Sequence, residues 1–200
     1  MVKPALTRTA KHLHRRPAYV YLMLVVALIG FAWWQGWIKP IDTKTFMHMQ
    51  PGSYTVKDFR DGDTITVDMN GITETIRFIG IDTPETHKPD TPVQCYGPAA
   101  SAYTKNRIGN QSIRLVSDSL TTDRDRYNRL LRYVVLEDGT TLNLELVQKG
   151  YAFAYAFPFS RSNEFFTEMD KARSAHAGLW GNCAPYQDPK TGQWHTENAS

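Results

Sequence analysis

From Ala18 to Ile38 the sequence is almost wholly apolar, with Gln35 the main interruption. At about 1.5 Å rise per residue, a helix of that length crosses the ~30 Å hydrocarbon core of a bilayer. Tyr19 and Tyr21 stand near one end of the run and Trp33, Trp34 and Trp37 near the other, the positions of interfacial aromatic belts. The lysines and arginines precede the run, which by the positive-inside rule leaves the N-terminus in the cytoplasm and exports the residues beyond the run. The competing reading is a cleaved signal peptide. No small-x-small site closes the run, and tryptophans occupy the place where cleavage would fall, so a retained anchor is expected. This divides the chain into a basic segment (1–17), a transmembrane anchor (18–38), a linker (39–52) punctuated by Pro40 and Pro51-Gly52, a folded domain (53–184) and a polar tail (185–200) expected to be loose.

The division changes how charge is read. The chain is +3 overall, with 23 Lys+Arg against 20 Asp+Glu. Six of the basic residues (Lys3, Arg8, Lys11, Arg15, Arg16, Lys39) and no acidic ones lie before residue 41, so the remainder is net negative. The domain therefore has no basic footprint of the kind that marks non-specific nucleic-acid binders. Any affinity for phosphate must come from individual arginines. The two cysteines, Cys95 and Cys183, both lie beyond the apolar run. Their spacing is too wide for a local zinc site. In an exported domain they pair as a disulfide or remain two thiols.

Past the linker the pattern turns to strands. Tyr54 to Phe59 is short and β-prone, and Thr64 to Met69 alternates polar and apolar as a half-buried strand does. Asn70-Gly71 is a two-residue hairpin signal, and Thr73 to Ile81 reads as the returning strand, with Arg77, Ile79 and Ile81 on one face. Ser112–Ser117 and Leu130–Leu136 complete five strands. Helices are expected from Pro98 to Ile108, from Leu142 to Lys149 with Gly150 as C-cap, and from Asn163 to Ala177 ending at Gly178. Five short strands with about three helices suit a β-barrel with helices packed on it (α+β), compatible with an OB-like barrel.

Three clusters carry chemistry. In Asp61-Gly62-Asp63-Thr64 a turn leads into a strand and can aim a carboxylate at a hard cation, although an Asp-Gly turn is ordinary by itself. In the second, Arg77 stands among apolar neighbours, and Asp82-Thr83-Pro84-Glu85-Thr86 comes after the strand. A phosphate can partner such an arginine, and oxygen ligands near Asp63 suit calcium or magnesium. The third, Asp123-Arg124-Asp125-Arg126-Tyr127-Asn128-Arg129, alternates in charge as a solvated loop does, but offers further guanidinium groups. Phosphodiester hydrolysis needs a cation and guanidinium groups against the phosphoryl oxygens, and a carboxylate to place or deprotonate water. Of the histidines only His87 lies near these clusters, where it reads as a solvated loop residue.

In order and spacing, Asp61-Gly62-Asp63-Thr64, the Arg77 strand, Asp82-Thr83-Pro84-Glu85-Thr86, Tyr96-Gly97-Pro98-Ala99-Ala100 and Asp125-Arg126-Tyr127-Asn128-Arg129 resemble the successive motifs of the staphylococcal nuclease (thermonuclease) family, over roughly Tyr54 to Trp180. The resemblance implies an OB-fold five-stranded barrel with three helices, and Ca2+-dependent cleavage of DNA and RNA, with single strands preferred. It implies Asp63, Asp82 and the Thr83 carbonyl as calcium ligands. Glu85 would be the general base or water-orienting group, and Arg77 and Arg129 the catalytic arginines on the scissile phosphate. Arg126 and Tyr127 would lie near a terminal phosphate, and Tyr155 against the base. Asn128 stands where the family often has Gly, and Arg126 where Lys is frequent; the anchor and the cysteines are additions. If Cys95 and Cys183 pair, they staple the first helix region to the end of the domain.

Two other readings compete. One is a non-catalytic OB module that binds nucleic acid or protein, using Tyr127, Tyr151, Phe153 and Tyr155 as stacking surfaces. The other is an anchored structural protein whose barrel is scaffold. The intact set Asp63, Arg77, Asp82, Glu85 and Arg129 favours the enzyme. No protein partner is legible.

Overall fold

In the computed structural model, which describes residues 18–35, 52–87 and 92–199, the chain forms two compact units, residues 1–46 and 47–200. The first unit holds helix α1 (Ala18–Trp34). Its 17 residues rise about 25 Å. Leu22, Met23, Leu24, Val25, Val26, Leu28, Ile29 and Phe31 are all exposed, so the helix is apolar on every side with none of these covered. Among the described residues no helix is long and apolar enough to cross a membrane. The last residues of the expected span (36–38), the basic segment 1–17 and all of the expected linker but Gly52 lie outside the described residues.

In the second unit β1 (Ser53–Phe59), β2 (Thr64–Met69), β3 (Ile72–Phe78), β5 (Ile113–Val116) and β6 (Leu130–Val135) close a barrel in the order β1-β2-β3-β6-β5. The hairpin between β2 and β3 turns on Asn70 (φ 55°) and Gly71 (φ 86°), the paired positive φ angles of a type I′ turn. β3 and β6 run parallel, with Ile76 opposite Leu130, and every other pairing in the barrel is antiparallel. Ile65, Val67, Ile76, Ile113, Leu130 and Val134 fill the interior. β2 is more buried than its alternation implies: Thr64 and Thr66 are covered too, because this strand lies between two others and Thr64 donates to Asp63 Oδ1.

The expected strand from Thr73 to Ile81 is broken. β3 stops at Phe78, and Gly80 turns the chain at φ 77°. A Cβ on Gly80 would lie 2.6 Å from the Phe159 ring, so both the angle and the space require glycine. Beyond the bend, β4 (Ile81–Asp82) leaves the barrel and pairs with β7 (Phe153–Ala154). Arg77 therefore shares no face with Ile79 and Ile81: it looks outward while they are buried.

Helices α2 (Gly97–Ile108), α3 (Leu142–Gln148) and α4 (Ser162–Ser174) pack beside the barrel, with a short α5 (Leu179–Asn182) that the sequence pattern does not announce. Buried Asn143 on α3 joins helix to barrel: its Oδ1 accepts from Val134 N at 2.8 Å and its Nδ2 donates to Ile79 O at 2.9 Å. The tail is not loose. β8 (Tyr186–Gln187) and β9 (Trp194–His195) form a hairpin, and the Trp194 ring packs on Trp180 and Phe153 at centroid distances of 5.0 and 6.2 Å. Cys95 and Cys183 are disulfide-bonded, with Cα atoms 6.0 Å apart. The apolar surface of one tryptophan and this link hold a segment whose composition reads as polar.

Candidate active site

An open cleft of about 1300 Å³ lies over one side of the barrel, lined among others by Asp61, Asp63, Arg77, Asp82, Thr83, Glu85, Arg126, Tyr127, Arg129 and Tyr155. Its floor is a charge cluster. Asp63, at the entry to β2, is buried; its Oδ2 accepts from Thr83 N at 2.9 Å and faces Arg77 Nη1. Arg77 Nη2 donates to Asp82 Oδ1 at 2.6 Å. Asp61 Oδ1 accepts from Asp63 N at 3.1 Å. The Gly80 bend makes this meeting possible, because it swings Asp82 back toward a carboxylate 19 residues earlier in the chain.

The cluster carries more negative than positive charge. Burial pushes the Asp82 carboxyl up to about 6; Arg77 pulls it down, and Asp63 and Glu85 push it further up. Burial and the neighbouring Asp63 raise Asp61 to about 7, against the pull of Arg77. Burial alone would weaken the Arg77 guanidinium, but Asp63, Asp82 and Asp61 outweigh it and hold the proton more firmly than on a free arginine. Oxygen donors with one guanidinium among four carboxylates are under-neutralised, which is the setting a hard divalent cation completes. The chemistry of the donor set suits such an ion: Asp63 and Asp82 carry carboxylates at the floor, both engaged with Arg77, and buried Thr83 is held by its N–H on Asp63.

The far wall is the loop before β6. Asp125 accepts from Arg129 Nε at 2.7 Å, from Arg129 N at 3.0 Å and from Tyr127 N at 2.9 Å. Those bonds hold the Asp125 carboxyl low despite its burial. They also orient Arg129 through Nε, away from its two terminal nitrogens. Asn128 takes φ 63°, the left-handed angle that Asn tolerates better than most residues. At the rim Arg126 stacks over the Tyr127 ring at 4.8 Å and donates to its hydroxyl at 2.8 Å.

Glu85 is half-buried, and its backbone is clamped at both ends by one residue: Gln94 Oε1 accepts from Glu85 N at 2.8 Å, and Gln94 N donates to Glu85 O at 2.9 Å. Tyr155 N donates to Gly80 O at 2.9 Å, which brings Tyr155 to the same cleft. Every residue to which the resemblance gives a role lines this one cleft, and the cysteines do not. Sequence reasoning gave no role to Asp61, Gln94, Asp125, Asn143 or Gln193. Asp61 and Asp125 sit inside the motifs and were within reach of it, whereas Gln94 and Gln193 act through contacts that no local pattern announces.

Comparison with known proteins points to one family. The family model described as "Staphylococcal nuclease homologue" matches residues 75–182. The thermonuclease of Staphylococcus intermedius is 49% identical over 130 residues, covering 64% of this chain and 76% of that protein. The thermonuclease of Staphylococcus hyicus is 41% identical over 135 residues (65% and 76%). Endonuclease YncB of Bacillus subtilis (strain 168) is 37% identical over 123 residues (60% and 57%). The cleft, the closed barrel beneath it and these matches together establish that the chain belongs to the staphylococcal nuclease family.

Proposed function

We propose that this protein is a calcium-dependent endonuclease, held at a membrane by its N-terminal helix, that hydrolyses DNA and RNA outside the cytoplasm with single strands preferred. It is a metal-dependent hydrolase of the nuclease class. The observation that carries the reading is the meeting of Asp63, Arg77, Asp82, Glu85 and Arg129 around a single cleft. A divalent cation, when bound, supplies positive charge against the phosphoryl oxygens. Arg77 is held between Asp63 and Asp82 and presents charge from the floor. Arg129 presents it from the opposite wall, so the negative charge that grows in the transition state is met from two sides. Glu85 orients or deprotonates the water that attacks phosphorus, and the ester P–O bond breaks as the new one forms.

The test is digestion of single- and double-stranded DNA and of RNA by the full chain in detergent, with calcium, with magnesium and with chelator. Cleavage in calcium alone, lowered about 10²–10⁴-fold in Glu85→Gln, is the expected result. Oligonucleotide binding without cleavage in any metal would instead make the domain a binding module.

The anchoring rests on α1, apolar on all sides, and on the basic residues that precede it. The Cys95–Cys183 disulfide supports an oxidising compartment for the domain. Alkaline extraction should leave the full chain with the membrane pellet, and external protease should reach the domain in intact cells. Release of the uncleaved chain by alkali would end the anchoring idea.

A further inference from the structure

The family match ends at residue 182, yet the chain beyond it is built into the cleft. Cys183 is bonded to Cys95. Cys95 N donates to Glu197 O and Ala199 N to Val93 O, each at 2.7 Å, while Thr196 Oγ1 donates to Cys95 O at 2.9 Å. With Trp194 packed on Trp180, these contacts fix the last segment as a strap along one side of the cleft. The strap sets half-buried Gln193 into the cleft wall, where its Nε2 donates to the Tyr155 hydroxyl at 2.9 Å.

A primary carboxamide has two N–H donors and two acceptor lone pairs. The bond to Tyr155 uses one N–H, which leaves one donor and the Oε1 acceptor on the same amide. Next to this pair stands an aromatic surface: Tyr155 and Phe157 lie with ring centroids 6.4 Å apart, and Phe157 is 62% exposed. An aromatic face with a donor–acceptor pair at its edge suits a nucleobase, which stacks through its face and hydrogen-bonds through its edge. A phosphate offers only acceptors and would not use Oε1. We propose that Gln193, carried by the C-terminal strap, is a base-contacting residue that gives the cleft its base preference. This rests on the nuclease reading above and adds a specificity determinant to it.

The experiment uses the full chain in detergent and its Gln193→Ala and Gln193→Glu variants. KM and kcat are measured on single-stranded oligonucleotides of A, C or T. The dissociation constant of each labelled oligonucleotide is measured in chelator. Gln193→Ala is expected to raise KM about three- to tenfold, the worth of one neutral hydrogen bond, by different factors for different bases, with kcat changed less than about twofold. Gln193→Glu keeps an acceptor for the Tyr155 hydroxyl but has no N–H, so base preference should shift there too. An equal rise on all bases that Gln193→Glu restores would make Gln193 a mere tether for Tyr155 and overturn the proposal, as would unchanged KM and preference in both variants. If the parent binds but does not cleave, the nuclease reading falls, and the dissociation constants decide Gln193 on the same pattern. If the parent neither binds nor cleaves, both fall.

Discussion

Arg77 and Arg126 both line the cleft, yet their settings have little in common. Arg77 rises from a barrel strand, its side chain is 15% exposed, and Asp63 and Asp82 hold it from two directions. Arg126 sits on a loop in solvent, and its described contacts are with the neighbouring Tyr127, itself 63% exposed. A charge on the floor is fixed before substrate arrives and needs no reorganisation when negative charge develops. A charge on the rim is screened and free to move, so it attracts and positions but contributes little to the chemical step. That contrast predicts that the floor governs rate and the rim affinity.

Arg129 is the sharpest test of that division, because it stands on the same loop as Arg126 yet is partly buried and clamped as Arg77 is. Asp125 grips both its Nε and its backbone N–H. Arg129→Ala is expected to lower kcat about 10²–10³-fold, as removal of one preorganised donor does. The fold should survive, because Asp125 keeps its bond from Tyr127 N. Arg129→Lys should recover little, since a lysine has no Nε–H to hold Asp125 while separate terminal nitrogens face the phosphate. A kcat within tenfold of the parent in Arg129→Ala would return this residue to the rim and break the comparison.

A region away from the cleft supplies the control. Asp118 is buried, which by itself would raise its pKa, but hydrogen bonds from Ser160 Oγ (2.5 Å), Tyr133 OH (2.6 Å), Leu120 N (2.8 Å) and Ser160 N (2.9 Å) outweigh burial and hold the carboxyl low. A group whose pKa falls on folding contributes stability above its unfolded value, near 3.9 for Asp, and loses it as pH falls through the folded value. Thermal melts of the parent should therefore drop below about pH 4. Asp118→Asn should melt lower at neutral pH and show a flatter acid limb, with kcat per folded molecule unchanged. An equally steep acid limb in Asp118→Asn would show that the acid loss has another source.

The two regions also differ in how far the sequence announces them. Asn70-Gly71 fixes its hairpin because two successive positive φ angles admit few residue pairs, and the alternation of β2 orients the strand. The motif residues of the floor are legible as types at a spacing. Their meeting is less so, since it depends on Gly80, whose positive φ and contact with Phe159, 79 residues away, are invisible in any local window. The strap is the extreme case. Its composition is polar, and its order comes from a disulfide across 88 residues and from Trp194 packing on distant rings, which are long-range terms that local propensity does not contain.

The smallest expected effect lies at Arg126. Removing this exposed guanidinium should leave kcat unaltered within about twofold and raise KM about three- to tenfold at low salt. The more telling quantity is salt dependence, because a contact to the backbone of a single strand releases condensed counterion. The slope of log KM against log salt should shrink by about 0.7 in Arg126→Ala. At high salt the variant and the parent should then converge, since the interaction removed is one that salt already screens. Arg129→Ala should behave in the opposite way, with its deficit in kcat persisting at every salt concentration, because that guanidinium acts from a partly buried and clamped position. If both variants converge with the parent at high salt, floor and rim are one electrostatic surface and the division between rate and affinity fails.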